Sequence, residues 1–204
     1  MQIPFITVEQ MIEVDRIMIE IYRIKLIQMM ENAGRHLATL AKQRFFQNKP
    51  IGKKIIILAG PGGNGGGALV CARRLHNWGG KITVFLTKPA ADFKGIPAQQ
   101  LEILSKISVP IFEDAKNPFS KSRDLIIDGM IGYRLRGNPR GTVAEFIHRT
   151  NEQRTPILAL DVPSGIEAGS GTALNPVIHA TATLTLALPK TGFRNHLHPT
   201  FFIF

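Results

Sequence analysis

The sequence predicts an α/β domain with a largely parallel sheet and helices on both faces. After Gly52, short β-branched runs alternate with helical stretches, and the first of these runs passes straight into a glycine-rich turn ahead of a helix. The scale agrees: 204 residues, 44% of them hydrophobic and 20% charged, make one globular domain able to bury its own core.

Thr7 and Gln10 read as a capping box ahead of Met11, Val14, Met18 and Ile21, whose spacing is helical. Leu26, Met30, Ala33, Leu37, Leu40 and Phe45 follow at helical steps, so two N-terminal helices are expected, each with one face on the core. Strands are predicted at 55–58, 82–86, 110–112, 125–128, 157–161 and 182–187. Helices are predicted near 68–77, 98–107 and 143–150, which completes a βαβ alternation. No repeat, low-complexity tract or long linker divides the chain, so residues 1–204 read as a single domain. The apolar end, residues 199–204, is a candidate edge strand or homodimer contact, or else completes the core.

Lys plus Arg number 25 against 15 Asp plus Glu, and the net charge of +10 favours phosphorylated metabolites, nucleic acid or an acidic membrane surface as partners. Lys53, Lys54, Arg73, Arg74, Arg134, Arg136 and Arg140 are scattered, and few aromatics accompany them, so RNA is disfavoured. The single Cys71 has no internal partner for a disulfide and fits a reducing compartment. No leader pattern opens the chain and no apolar run nears the ~20 residues that span a bilayer. A cytoplasmic protein without a membrane partner is expected.

Ligands of open α/β sheets bind beyond the carboxyl ends of the strands, where strand order reverses. Three strand ends carry polar or glycine-rich chemistry: the turn running from Gly60 to Gly67, Asp128-Gly129, and Asp161-Val162-Pro163-Ser164-Gly165. Gly60, Gly62 and Gly65 match a dinucleotide fingerprint, where bare amides and a helix dipole favour phosphate. The acidic ribose ligand of ordinary dehydrogenases is missing, since the next strand ends Leu86-Thr87-Lys88, and no Walker lysine follows the glycines. Asp128 and Asp161 are either turn residues or acid–base groups at the sheet rim. Asn64, Asp128 and Ser164 offer oxygen ligands to a hard cation. Cys71 reads as a small core residue, the six histidines show no zinc spacing, and no G-x-S-x-G elbow surrounds Ser164.

Five ordered blocks resemble the YjeF N-terminal domain family of NAD(P)H-hydrate epimerases. They are Met30-Glu31-Asn32-Ala33-Gly34, the turn from Gly60 to Gly66, Asp124-Leu125-Ile126-Ile127-Asp128, the stretch from Ala159 to Gly165, and Leu188-Pro189-Lys190-Thr191-Gly192. The resemblance implies a Rossmann-like three-layer αβα sandwich and an isomerase that interconverts the R and S forms of NADHX and NADPHX in nicotinamide cofactor repair. It implies that Gly63, Asn64, Gly65, Gly66 and Gly67, with Gly132, Tyr133, Arg134, Leu135, Arg136, Gly137 and Asn138, and with Asp161, surround the substrate. It further implies a potassium ion on Asn64, Asp128 and Ser164, Asp161 as the catalytic acid–base, and a separate NAD(P)HX dehydratase as pathway partner. Lys190 either assists electrostatically or is a strand-end lysine.

The chain departs from the family pattern at five places. Gly63 stands for an Asn, Gly67 for an Asp, Ala68 for a Gly, Arg134 for a Gly and Thr181 for an Asp. Arg134 reads two ways, as a phosphate clamp or as a block in the pocket. The alternative to an enzyme is a catalytically impaired scaffold that binds nucleotide or RNA.

Overall fold

The computed structural model describes residues 3–113, 123–194 and 201–203. Helix α1 (Val8–Arg16) opens with the expected capping box: Thr7 Oγ1 accepts from the Gln10 amide at 3.1 Å, and Gln10 Oε1 from the Thr7 amide at 2.9 Å. A π-helical turn, Ile17–Ile21, extends it before α2 (Leu26–Phe46), which buries Met30, Leu37, Ala38, Leu40 and Ala41.

The strands are β1 (Lys54–Ala59), β2 (Lys81–Leu86), β3 (Ile111–Phe112), β4 (Leu125–Gly129), β5 (Ile157–Leu160), β6 (Ala182–Thr185) and β7 (Phe201–Ile203). They form one sheet in the order β3-β2-β1-β4-β5-β6-β7, with every pairing parallel. Helices α3 (Gly63–Asn77), α4 (Gly95–Lys106) and α5 (Gly141–Asn151) lie between them in sequence. A sheet covered on both faces needs apolar side chains at consecutive positions, which is why β1 is an unbroken run. Ile55, Ile57 and Ala59 pack with Leu37, Leu69, Leu75 and Leu104 of α2, α3 and α4. Ile56 and Leu58 point the other way, onto Phe146 and Ile147 of α5. The result is the expected three-layer sandwich. Among the described residues no helix is long and apolar enough to cross a membrane.

All the predicted strands and helices are present, and part of the apolar end forms β7 beside β6; residues 199, 200 and 204 lie outside the described residues. The bounds differ by one to three residues at several ends, and the largest difference is at α3. Helix α3 begins at Gly63 rather than at 68, so the glycines expected in a loop occupy its first turns. Glycine lowers helix propensity by about 1 kcal/mol relative to alanine, which favours a loop reading from sequence. Packing overrides it: a Cβ on Gly65 would collide with the Gly60 carbonyl, and one on Gly66 would lie 2.6 Å from Met30 Sδ. Across the same contact, a Cβ on Gly34 of α2 would stand 2.5 Å from the Gly67 carbonyl. The glycines let α3 seat closely against α2 and the turn before it.

The chain passes from β3 at one edge to β4 on the far side of β1. Strand order therefore reverses between β1 and β4, and the crevice beyond their carboxyl ends is the topological switch point.

Candidate active site

The β1–α3 turn opens into this crevice. Gly62, the N-cap of α3, makes no side-chain cap, and both Gly62 and Gly63 are exposed. A Cβ on Gly62 would meet nothing within 4 Å, and one on Gly63 only Met30 Cε at 3.9 Å. The first intrahelical bond of α3 is Gly66 N–H to the Gly62 carbonyl at 3.0 Å, so earlier amides are left for a ligand or water. They face a cleft of about 450 Å³ whose lining includes Asp15, Met30, Gly63, Asn64, Ile131 and Tyr133. Unpaired amides at the positive end of a helix form an anion-binding surface. Gly65, Gly66 and Gly67 are buried and turned toward packing neighbours instead.

Asn64, Asp128 and Ser164 meet around the Ile131 backbone. Asn64 Nδ2 donates to the Ile131 carbonyl at 3.2 Å and the Leu160 carbonyl at 2.7 Å, while the Ile131 amide donates to Ser164 Oγ at 3.0 Å. Ser164 Oγ and its amide donate to Asp128 at 2.6 and 2.7 Å, and the Met130 amide adds a third bond at 3.1 Å. Burial pushes the Asp128 carboxyl above its ordinary value against the pull of these donors. Among the described residues no lysine or arginine pairs with Asp128. The Asn64 amide oxygen stays open because residue 132 is glycine, whose Cβ would stand 2.8 Å from it. A buried carboxylate without a basic partner, a hydroxyl and a free amide oxygen form a donor set that fits a hard cation.

Asp161 follows β5 in a left-handed backbone conformation, φ 67°, and is buried with Lys190. Lys190 Nζ donates to Asp161 Oδ1, to the Leu186 carbonyl at 3.0 Å and to the Leu188 carbonyl at 3.4 Å. The Leu186 amide donates to the same carboxylate oxygen at 3.2 Å. Lys190 is thus fully buried as the ion-pair partner of Asp161 and is not a surface lysine. No local pattern signals it, because a lysine after a proline reads as surface.

The segment after β4 divides its residues. Tyr133 and Arg134 line the first cleft and also, with Leu135 and Arg136, a second of about 610 Å³ reaching Thr7, Glu9 and Thr191. The Arg134 guanidinium lies 5.5 Å from the Tyr133 ring centroid and donates to its hydroxyl at 3.3 Å. Gly137 and Asn138 line neither cleft, and Asn138 Oδ1 accepts from the Asn175 amide at 3.3 Å.

Among the remaining departures, Thr181 has a local structural task. Thr181 Oγ1 accepts from the Ile157 amide at 3.0 Å and holds the start of β5. Cys71 is buried in α3, and burial pushes its thiol far up, as a core residue requires. Glu31 of α2 pairs with Arg73 and Arg74 of α3, an interaction the sequence did not reveal. Among the described residues no group of three or more His, Cys, Asp or Glu side chains forms a metal cluster; His196 and His198 lie outside them.

The family model described as YjeF-related protein N-terminus matches residues 26–192. An NAD(P)H-hydrate epimerase of Dehalogenimonas lykanthroporepellens is 39% identical over 188 residues, which cover 92% of this chain and 75% of that protein. The bifunctional NAD(P)H-hydrate repair enzyme Nnr of Moorella thermoacetica is 34% identical over 194 residues, or 92% of this chain and 36% of that one. The crystal structure of the yeast protein YNL200c superposes with a TM-score of 0.87 at 23% identity, covering 98% of this chain and 87% of the other. That likeness concerns the fold.

Proposed function

The chain belongs to the YjeF-related protein N-terminus family, and from that premise we propose that it is an NAD(P)H-hydrate epimerase. It interconverts the R and S forms of NADHX and NADPHX at the hydroxyl-bearing ring carbon. The observation that carries this reading is the buried Asp161–Lys190 pair just past the carboxyl end of β5, at the same end of the parallel sheet as the open N-terminus of α3, although neither residue of the pair lines the two clefts. A phosphorylated substrate with a labile hydroxyl calls for that combination of proton transfer and anion binding.

Asp161 is the acid–base. The carbon–oxygen bond breaks as the departing hydroxyl takes a proton and leaves as water, with the ring nitrogen lone pair supporting the carbon left behind. When water adds to the opposite face, its proton returns to the protein. Lys190 shares its hydrogen bond with the same carboxylate, so the pair together holds the proton that shuttles. The amides of Gly63 and Asn64 face the diphosphate, and Arg134 and Arg136 add positive charge along the clefts. Asn64, Asp128 and Ser164 would hold a potassium ion, which would supply fixed positive charge beside the substrate.

The scaffold alternative is not favoured, since the relatives above bear enzyme names and the acid–base pair is intact. A separate NAD(P)HX dehydratase is the pathway partner this reading implies, and a relative named as a bifunctional repair enzyme supports a second repair step. The test is chromatographic: R-NADPHX in potassium buffer, with appearance of S-NADPHX followed against a no-protein control. Acceleration over the spontaneous rate supports the epimerase. No acceleration with nucleotide still bound would leave a binding protein on this fold.

A further inference from the structure

Tyr133 stands between the N-terminal helix and the buried pair. Its hydroxyl donates to Asp15 Oδ2 on α1 at 2.7 Å, and its ring centroid lies 5.7 Å from Lys190 Nζ. The ring packs on the cluster of Val162, Ala168 and Phe193, so it is held from behind as well. Burial and the Asp15 carboxylate push the phenol up to about 12, which keeps the hydroxyl a donor near neutral pH.

The N-terminal segment reaches the lysine a second time. Ile6 bridges Lys190 in parallel: its amide donates to the Pro189 carbonyl at 2.9 Å, and its carbonyl accepts from the Thr191 amide at 2.9 Å. The stretch from Ile6 to Asp15 is therefore fastened to the site at both ends, although it precedes the matched family region, 26–192.

An aromatic face attracts an ammonium and excludes water from it. Asp161 and Lys190 are both buried, and Tyr133 walls both clefts. We propose that Tyr133, latched to Asp15, is a positioning residue that holds its ring over the Lys190 ammonium and so orients the Lys190–Asp161 pair for proton transfer. The catalytic part rests on the epimerase reading, whereas the latch itself is measurable without turnover.

The experiment compares the full chain with Asp15→Ala, Tyr133→Phe, their double variant and Tyr133→Leu. Acylation of Lys190 by a lysine-reactive ester is timed by peptide mass spectrometry, with melting temperature as the folding control. Each unlatched single variant is expected to label Lys190 roughly tenfold faster than the parent, as for loss of one charge-assisted hydrogen bond. The double variant should label no faster than Tyr133→Phe, because both substitutions remove the Asp15 bond and Tyr133→Phe alone also removes the bond from Arg134. Tyr133→Leu, which removes the ring as well, should label fastest; if it does not fold, the other three variants decide. In the epimerase assay Asp15→Ala should lower kcat with KM unchanged. Unaltered labelling, additive effects of the two unlatching substitutions, or a loss confined to KM would overturn the proposal. A parent that labels slowly but never epimerises would sink the epimerase reading while leaving the latch standing.

Discussion

Lys190 donates to Asp161 Oδ1 from a side chain that is fully buried, and Asp161 offers that oxygen from a left-handed backbone, φ 67°. A paired buried charge contributes little net stability, but stranding one partner costs a great deal. The pair therefore ties the proposed chemistry to folding.

Asp161→Asn tests both. Asparagine accepts the left-handed backbone, so local geometry should survive. The variant is expected to lose epimerisation and about 3–5 kcal/mol of stability, because Lys190 is left buried without its ion-pair partner. Adding Lys190→Met should recover most of the stability and none of the activity. Urea unfolding and the epimer assay give the two readouts, and an active Asn variant would retire Asp161 as the acid–base.

Ion binding is checked at Asp128. Potassium chloride should raise the melting temperature of the parent by about 3 °C or more relative to the same concentration of choline chloride. Asp128→Asn removes the one carboxylate of the donor set and should abolish the difference. An equal response in both proteins would mean that the ion acts elsewhere.

Gly67→Asp restores the residue the family pattern has, yet this structure leaves little room for it. A Cβ at 67 would lie 2.9 Å from Leu160 Cδ2 and 3.8 Å from Ala33 Cβ. A carboxylate in that buried contact is expected to lower stability by about 2–4 kcal/mol and to lower activity with it. Higher turnover from a stable Asp variant would show instead that the site accommodates the carboxylate.

The pairing of Glu31 predicts a pH dependence. Burial opposes its ionisation, but Arg73 and Arg74 outweigh burial and hold its carboxyl below the usual range. A depressed native value contributes stability that is present above the unfolded value and lost as pH falls through the folded one. Glu31→Gln should therefore destabilise the protein by about 1–3 kcal/mol at pH 7. The gap should close as pH falls below about 4. A gap that is constant with pH would mean that shape rather than charge matters at residue 31.

Much of the fold was legible because its signals are local. The Thr7–Gln10 capping box and the buried run from Ile55 to Ala59 each depend on residues within a few positions, as do the strand-terminal Asp128 and Asp161. The start of α3 was not, since what makes Gly65 helical is the carbonyl of Gly60 pressed against it and the close seating of α3 on α2.

By itself the sequence determined the α/β alternation and the polar strand ends, and it named Asn64, Asp128 and Ser164 as candidate oxygen donors, because periodicity and strand-end chemistry are written along the chain; the strand order, and with it the switch point between β1 and β4, came from the fold. Tertiary structure alone decided that Lys190 is the buried partner of Asp161 and that Tyr133 is latched to Asp15. It alone also decided that Gly65, Gly66 and Gly67 are buried in close packing contacts. These relationships join residues far apart in sequence, and a charge or an aromatic ring acquires its role only from what folding brings against it.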